Sequence, residues 1–339
     1  MMKPARREGA GDGDVTTGEF ALIERYFRRP PVRGDVILGI GDDAAVLSVP
    51  AGRSLVVCTD TLTGGIHFPA DTAAFAIGHK ALAVNLSDLA AMGAQPHWAT
   101  VAITAPSPDS EWFGAFSGGM RKIADRYQVD IVGGDTTRGP LSVTVQALGT
   151  VVGTGFLRRG GAGPGDILFV TGTLGDAAAG LREALGEIEL DRASHLHCRS
   201  SLDLPEPRID AGLKLAGFAT AAIDLSDGLV ADLGHLLKDS GGLGAEIDLD
   251  ALPLSAPVRA IVDTGQQGID WTLPLAGGDD YELLFTVRPQ AEDEVTTRLG
   301  DIGHRVTRIG RIESRPGIRF REGEVERQVP GLAGYEHFR

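Results

Sequence analysis

Cysteine is nearly missing: Cys58 and Cys198 are the only two in 339 residues. Two thiols cannot build a disulfide framework, and their spacing matches no zinc site. Lysine is scarce as well, at five of the 32 basic residues, while aspartate plus glutamate reaches 46 for a net charge of −14. That balance excludes a broad basic face gripping nucleic acid. It leaves phosphate within reach, because divalent cations bridge carboxylates to phosphates. No apolar run approaches the roughly 20 residues that cross a bilayer, so no membrane contact is expected. Met1–Thr17 is rich in Gly, Asp and Arg and lacks the apolar stretch of a signal peptide. It reads as a flexible tail, 1–17, on a cytoplasmic protein. The familiar phosphate loops are missing too, with no GxxxxGK[ST] and no kinase HRD…DFG set, and no nucleophile stands out, since Ser226 is not in a GxSxG elbow.

With 42% hydrophobic and 23% charged residues, a sizeable core is available. Glu19–Arg29 has helical spacing with Phe20, Ile23 and Phe27 on one face, and Arg53–Asp60 reads as a strand ending in an aspartate. Phe75–Met92 predicts a long helix closed by Gly93, and Asp109 caps another running to about Tyr127. Strands are expected at Trp98–Thr104, Asp130–Gly134 and Leu141–Gly149, around a turn at 137–140. In the second half, strands are expected at Ile167–Thr171, Ala221–Asp224 and Tyr281–Val287. Helices are expected after Gly175, near Pro207–Leu215 and after Asp227. Glu187–Leu204 reads as an irregular polar connection. A strand pair, Val306–Ile312 and Gly317–Arg327 with its turn at Glu322-Gly323, closes the chain. Mixed strands and helices with a break near 150–160 imply two α/β domains, 18–153 and 154–339.

Aspartates gather at strand ends and glycine turns: Asp42 and Asp43 in GIGDDAAV, Asp60 in VVCTDTL, Asp88 in NLSDLAAMGA and Asp135 in VGGDTTRG. The second half adds Asp224 and Asp227 in IDLSDGL, and Asp279 and Asp280 in GGDDYELLF. Strand-end carboxylates sit where α/β proteins collect ligands. Brought together they repel unless divalent cations hold them, and Mg²⁺ takes carboxylate oxygens beside substrate phosphates. Singly, each has a plainer reading, since Asp-Gly pairs make turns, and Asp42 and Asp227 can each be read as a helix cap. Asp88 is harder to dismiss, being a carboxylate set among Leu86, Leu89 and Ala90. Gly172-Thr173-Leu174-Gly175 is either a phosphate cradle or a simple turn. His67 is either a substrate contact or loop packing, His195 and His197 read as solvated, and Cys58 as buried in its strand.

The motifs GEF-LIERYF, GIGDDAAV, TDTL-GG-HF, KALAVNLSDLAAMGA-P, IVGGDTTRGPLS, VTGTLGDAAAGL, IDLSDGL-DLGHLL and GGDDYELLFTV occur in this order. In these the chain resembles the thiamine-monophosphate kinase family, from about Gly18 to Phe338. The Asp-rich motifs are shared more loosely with the wider aminoimidazole ribonucleotide synthetase superfamily. The resemblance implies a two-domain α/β fold whose N-terminal sheet domain pairs with a second subunit. It implies transfer of the γ-phosphoryl of ATP to thiamine monophosphate, the last step towards thiamine diphosphate, with several Mg²⁺ ions. By position, Asp43, Cys58, Thr59, Asp60, Asp88, Asp135, Asp224 and Asp227 fall on its metal sites. Gly134, Asp135, Arg159 and Ser226 fall on its ATP contacts, and His67, Asp279 and Tyr335 on its thiamine phosphate contacts. No protein nucleophile is implied. Asp279 stands where the family has Glu, and Cys58 where it has Ser, so the Cys58 backbone would serve the metal.

Other enzymes of the superfamily are the first alternatives. The hydrogenase-maturation dehydratase uses a C-terminal cysteine, and this chain ends Glu336-His337-Phe338-Arg339. Selenophosphate synthetase uses Cys or selenocysteine near the N-terminus, where the first cysteine here is Cys58. A non-catalytic nucleotide-binding protein on the same scaffold would have lost several motif aspartates, and all are present.

Overall fold

The computed structural model describes residues 18–265, 271–300, 303 and 305–329. The N-terminal half runs α1 (Glu19–Tyr26), β1 (Val36–Leu38), β2 (Val46–Leu47), β3 (Arg53–Thr63), α2 (Ala74–Ala91), β4 (Gln95–Ala105), α3 (Ser110–Tyr127), β5 (Asp130–Arg138) and β6 (Ser142–Val152). β1 and β2 form a small ribbon, and the other four strands make a sheet in the order β3-β6-β4-β5. Only the β4–β5 pair is parallel, as its α3 crossover requires. Asp109 caps α3 as expected, accepting from the backbone N–H groups of Glu111 and Trp112. α2 and α3 cross on glycine: a Cβ at Gly78 would lie 2.0 Å from the Phe116 carbonyl oxygen, and one at Gly119 1.8 Å from that of Phe75.

The C-terminal half runs β7 (Ile167–Thr171), α4 (Asp176–Ala184), α5 (Arg192–Asp203), α6 (Ile209–Leu215), β8 (Ala221–Asp224), α7 (Leu229–Asp239), β9 (Gly244–Asp248), α8 (Ala256–Thr264), α9 (Thr272–Ala276), β10 (Leu283–Val287), α10 (Glu292–Leu299), β11 (Val306–Glu313), β12 (Gly317–Glu322) and β13 (Val325–Arg327). Its sheet has the order β13-β12-β9-β11-β7-β10-β8. Strands β7 and β10 are buried throughout because both faces of this sheet are covered. Ile167, Phe169, Leu283 and Phe285 point into a core shared with α2, α3 and α6. Their alternates Leu168, Val170 and Leu284 point into a second core with Leu229, Leu233 and Leu236 of α7. One apolar core therefore joins the two α/β halves.

Two expectations are corrected. Glu187–Leu204 contains helix α5, capped by the Asp191 carboxylate and burying Cys198 and Leu202. Two apolar residues are enough to dock it and too few to show in its pattern. Strand β10 starts at Leu283, not Tyr281, because Tyr281 has φ +49°, which cannot continue a strand. In α1 the core takes Leu22 and Tyr26, while Phe20 is 83% exposed and Ile23 and Phe27 are partly covered. The tail 1–17 lies outside the described residues.

Candidate active site

Helix α2 is apolar except for His79, which bonds to the Pro205 carbonyl, and four further polar side chains, Lys80, Asn85, Ser87 and Asp88. At 100° per residue, Lys80 and Ser87 share one face, Asp88 lies about 80° round and Asn85 about 140° round. Ser87 Oγ donates to Asp224 Oδ2 at 2.8 Å, reaching the end of β8. On the β3 side, Asn85 Oδ1 accepts from the Asp60 backbone N–H at 3.1 Å, and its carbonyl accepts from Cys58 Sγ at 3.2 Å. Asp88, between these faces, feels both Asp224 and Asp60. Asp60 in turn feels Asp88 and the nearby His67.

The electrostatics follow from this crowding. Burial, then the Asp224 and Asp60 charges, push Asp88 up to about 8, with Arg159 offsetting part of it. Burial raises Asp224 to about 6 against the Ser87 hydrogen bond, with Asp60 adding to the rise. Burial also raises Asp60, opposed by Asp88 and by the nearby His67. The Cys58 thiol is pushed far up by burial and the Asp88 charge, so it donates a proton and offers no thiolate. Cys58, Asp88, Arg158, Arg159 and Asp224 line one cavity of about 440 Å³.

Beyond β8, Ser226 and Asp227 begin the turn into α7, and Gly228 rather than Asp227 holds the cap position. The buried Asp232 accepts from the Ser226 and Asp227 N–H groups at 3.0 and 3.1 Å. Burial and the Asp224 and Asp227 charges raise Asp232 to about 7. The loop before β10 lies alongside: Asp279 N donates to Ser226 O, and Tyr281 N to Leu225 O. Lys80 Nζ donates to Asp279 Oδ2 at 2.9 Å, and Tyr281 Oη to Asp279 Oδ1 at 2.9 Å.

The other expected residues gather elsewhere. Asp43, Gly134 and Asp135 line a second cavity of about 890 Å³, walled by Phe20, Ile23 and Phe27 of α1. Gly134 also has a packing reason: its φ is +150° and a Cβ would lie 1.9 Å from Val101 O on β4. Thr59 is exposed on β3, accepting from Gln146 at 3.3 Å. His67 Nδ1 accepts from Thr63 N at 2.9 Å, which fits loop packing, while its ring remains close enough to act on Asp60. Tyr335 lies outside the described residues. The Gly172–Gly175 loop is a turn closed from inside, with Gly175 N donating to the Asp280 carboxylate. His195 and His197 are not simply solvated, since they pair with Glu183 at 2.8 Å and Asp176 at 3.1 Å.

Among the described residues no group of three His, Cys, Asp or Glu side chains converges tightly enough to hold an ion by itself. The donor set is nevertheless of the right chemistry for Mg²⁺, which keeps waters and takes one or two carboxylates plus substrate phosphates. Sequence reasoning missed Lys80, Asn85, Ser87 and Asp232. The first three carried a signal, as polar residues at buried positions of an apolar helix.

The AIR synthase related protein N-terminal domain matches residues 41–153, and the C-terminal domain of that family matches 163–322. The thiamine-monophosphate kinase of Salmonella typhimurium is 45% identical over 330 residues, covering 96% of this chain and 99% of that one. A crystal structure of thiamine-monophosphate kinase from Stenotrophomonas maltophilia K279a superposes with a TM-score of 0.80 at 45% identity, covering 85% and 92%. A structure of AaThiL complexed with AMPPCP and TMP gives a TM-score of 0.73 at 32% identity, covering 88% and 92%.

Proposed function

The chain belongs to the thiamine-monophosphate kinase family, and from that premise we propose that it transfers the γ-phosphoryl of ATP to the phosphate of thiamine monophosphate, giving thiamine diphosphate and ADP. The observation that carries this reading is the cavity lined by Asp88, Asp224 and Arg159 between the halves, with the Asp60 charge acting on both carboxylates. Both reactants are anions, so a carboxylate-lined site serves them only with cations present. Asp43, Asp60, Asp88, Asp135, Asp224 and Asp227, with Thr59 and the Cys58 backbone, would hold Mg²⁺. Bound there, Mg²⁺ would neutralise phosphate charge and stabilise charge growing on the bridging oxygens.

The chain's own groups do the rest. Arg159 supplies a fixed cation to the nucleotide phosphates. Gly134, Asp135 and Ser226 would line the nucleotide's path, and His67 with Tyr335 the thiamine phosphate's. The acceptor is an ionised phosphate oxygen, so no general base is demanded and transfer can run in line without a protein nucleophile.

Other features support the remaining expectations. β3 is an edge of its sheet, pairing only with β6 among the described strands, and it exposes Leu55 and Val57. That edge suits a homodimer, with domains 18–153 and 154–339 sharing the work. The acid balance disfavours nucleic acid. No described helix is long and apolar enough to cross a membrane. Use of ATP for the final step of thiamine diphosphate synthesis suits the cytoplasm.

Phosphorus NMR with ATP, Mg²⁺ and thiamine monophosphate tests the reaction, with thiamine and metal-free samples as controls. The expected result is metal-dependent thiamine diphosphate with one ADP per product. Intact ATP beside that acceptor would overturn the assignment.

A further inference from the structure

Residues 277–282, between α9 and β10, carry a contact that the carboxylate cluster does not account for. Asp279 has φ +69° and Tyr281 φ +49°, left-handed backbone that β-carbon-bearing residues hold only when their surroundings enforce it. The other described non-glycine residue of this kind is Gln128, which ends α3. Gln128 closes a helix, whereas Asp279 and Tyr281 close nothing. What holds them is a set of four bonds. Their N–H groups donate to Ser226 O at 2.9 Å and Leu225 O at 2.8 Å. The Asp279 carboxylate takes Lys80 Nζ on one oxygen and Tyr281 Oη on the other, each at 2.9 Å.

Lys80 is 2% exposed and sits seven residues before Ser87 on α2. Seven residues return to the same helix face about 10 Å further on. That face therefore reaches the C-terminal half twice, at Asp279 through Lys80 and at Asp224 through Ser87. Asp224 pairs with Leu283 across β8 and β10, so both contacts grip one small unit. The unit is the end of β8, the Leu225–Asp227 turn and the loop bonded to it.

We infer that Lys80 is a positioning residue for phosphoryl transfer: its ion pair with Asp279, braced by Tyr281, fixes the Leu225–Asp227 turn relative to α2. The clamp keeps Asp224 and Asp227 in register with Asp60 and Asp88. The inference rests on the reaction proposed above. It gives Asp279 a role its geometry supports, since both its oxygens are already engaged within the protein. The shorter side chain at a family Glu position is spent on Lys80 rather than on substrate.

Four variants test this: K80M, D279N, Y281F and the K80M/D279N pair, with K80R as the charge-keeping control. Two readouts are taken on each. The first is hydrogen exchange of the peptide spanning 277–283; the second is kcat and KM measured separately for each substrate. In K80M and D279N the Asp279 and Tyr281 amides should lose about tenfold protection or more while amides of the α2 core keep theirs. Turnover should fall roughly 10- to 100-fold with both KM values within about threefold, the double variant should be no worse than the poorer single, and K80R should recover part of the loss. If K80M does not fold, D279N and Y281F carry the same readouts at nearly unchanged volume.

A rise in KM for thiamine monophosphate at constant kcat would make Asp279 a substrate contact and overturn the clamp. Lost protection with kcat unchanged per folded molecule would reduce it to a structural pair. If the unaltered protein makes no thiamine diphosphate, the reaction reading falls, and unchanged exchange in K80M is then the result that overturns the clamp.

Discussion

Asp88 is where a single carboxylate decides most. Its carboxyl stays protonated to about 8 in the folded chain, through burial and then the charges of Asp224 and Asp60, whereas an unfolded Asp loses its proton near 4. Its stabilising contribution is thus present below about pH 4 and drains away as pH rises towards 8. His97 has the opposite sign. Burial and then the Arg33 charge depress it to about 4, so its contribution is present above the unfolded value of about 6.5 and lost as pH falls. The two oppose each other up to about pH 6.5, and Asp88 stands unopposed above it. In metal-free buffer, stability should fall between pH 6.5 and 8 by on the order of 1 kcal/mol per unit. Asp88→Asn should reduce that slope in denaturant titrations, most clearly above pH 7 where the raised Asp232 adds less to it, leave the neutral-pH stability equal or higher, and cut turnover by about 100-fold or more. A variant with normal turnover would remove Asp88 from the chemistry. This residue was legible because a carboxylate among leucines needs a reason. Lys80 and Ser87 carried a signal as polar residues on an apolar helix, but not their roles, because their partners, Asp279 and Asp224, lie more than a hundred residues away and only the fold brings them near.

Elements were legible where an apolar period or a capping residue announced them, as with α2, and α3 behind Asp109. α5 escaped because one cysteine and one leucine anchor it among polar residues. The α1 stripe Phe20-Ile23-Phe27 walls the larger cavity, with Phe27 also packing on the core beside Leu22 and Tyr26. Alternation alone does not say which apolar face meets protein and which meets a ligand-sized space. Strand β3 carries a related message. Its eleven residues pair on one side with β6, and Leu55 and Val57 stay 46% and 48% exposed. A long apolar edge invites another strand, and the proposed homodimer supplies one. Leu55→Lys with Val57→Lys should leave the fold intact and halve the mass measured by light scattering. An unaltered chain that is already monomeric at tens of micromolar, or a variant that keeps its mass, would refute that use of the edge.

At the scale of the molecule, the α/β class was readable from the mixed pattern of strands and helices, but the relation of the two halves was not. One core runs through both, and α2 delivers polar groups to each, so the carboxylates of the first half meet those of the second across a seam that no local pattern encodes. Asp43 and Asp135 face one cavity, while Asp88 and Asp224 face another. A polyphosphate long enough to touch both groups would tie the halves together, provided cations accompany it, since bare phosphate would meet carboxylate. Stabilisation by ligand should therefore be conditional. Neither Mg²⁺ alone nor ATP analogue in chelator should raise the unfolding temperature appreciably. Together, at about 100 times the dissociation constant, they add about 2.7 kcal/mol, which for a chain of this size is a rise of roughly 4 °C. The Asp88→Asn and Asp224→Asn variants should lose most of that rise while keeping their ligand-free unfolding temperature. An equal rise with nucleotide in chelator would mean that arginines such as Arg159 hold the phosphates unaided, and the carboxylates would then need another purpose.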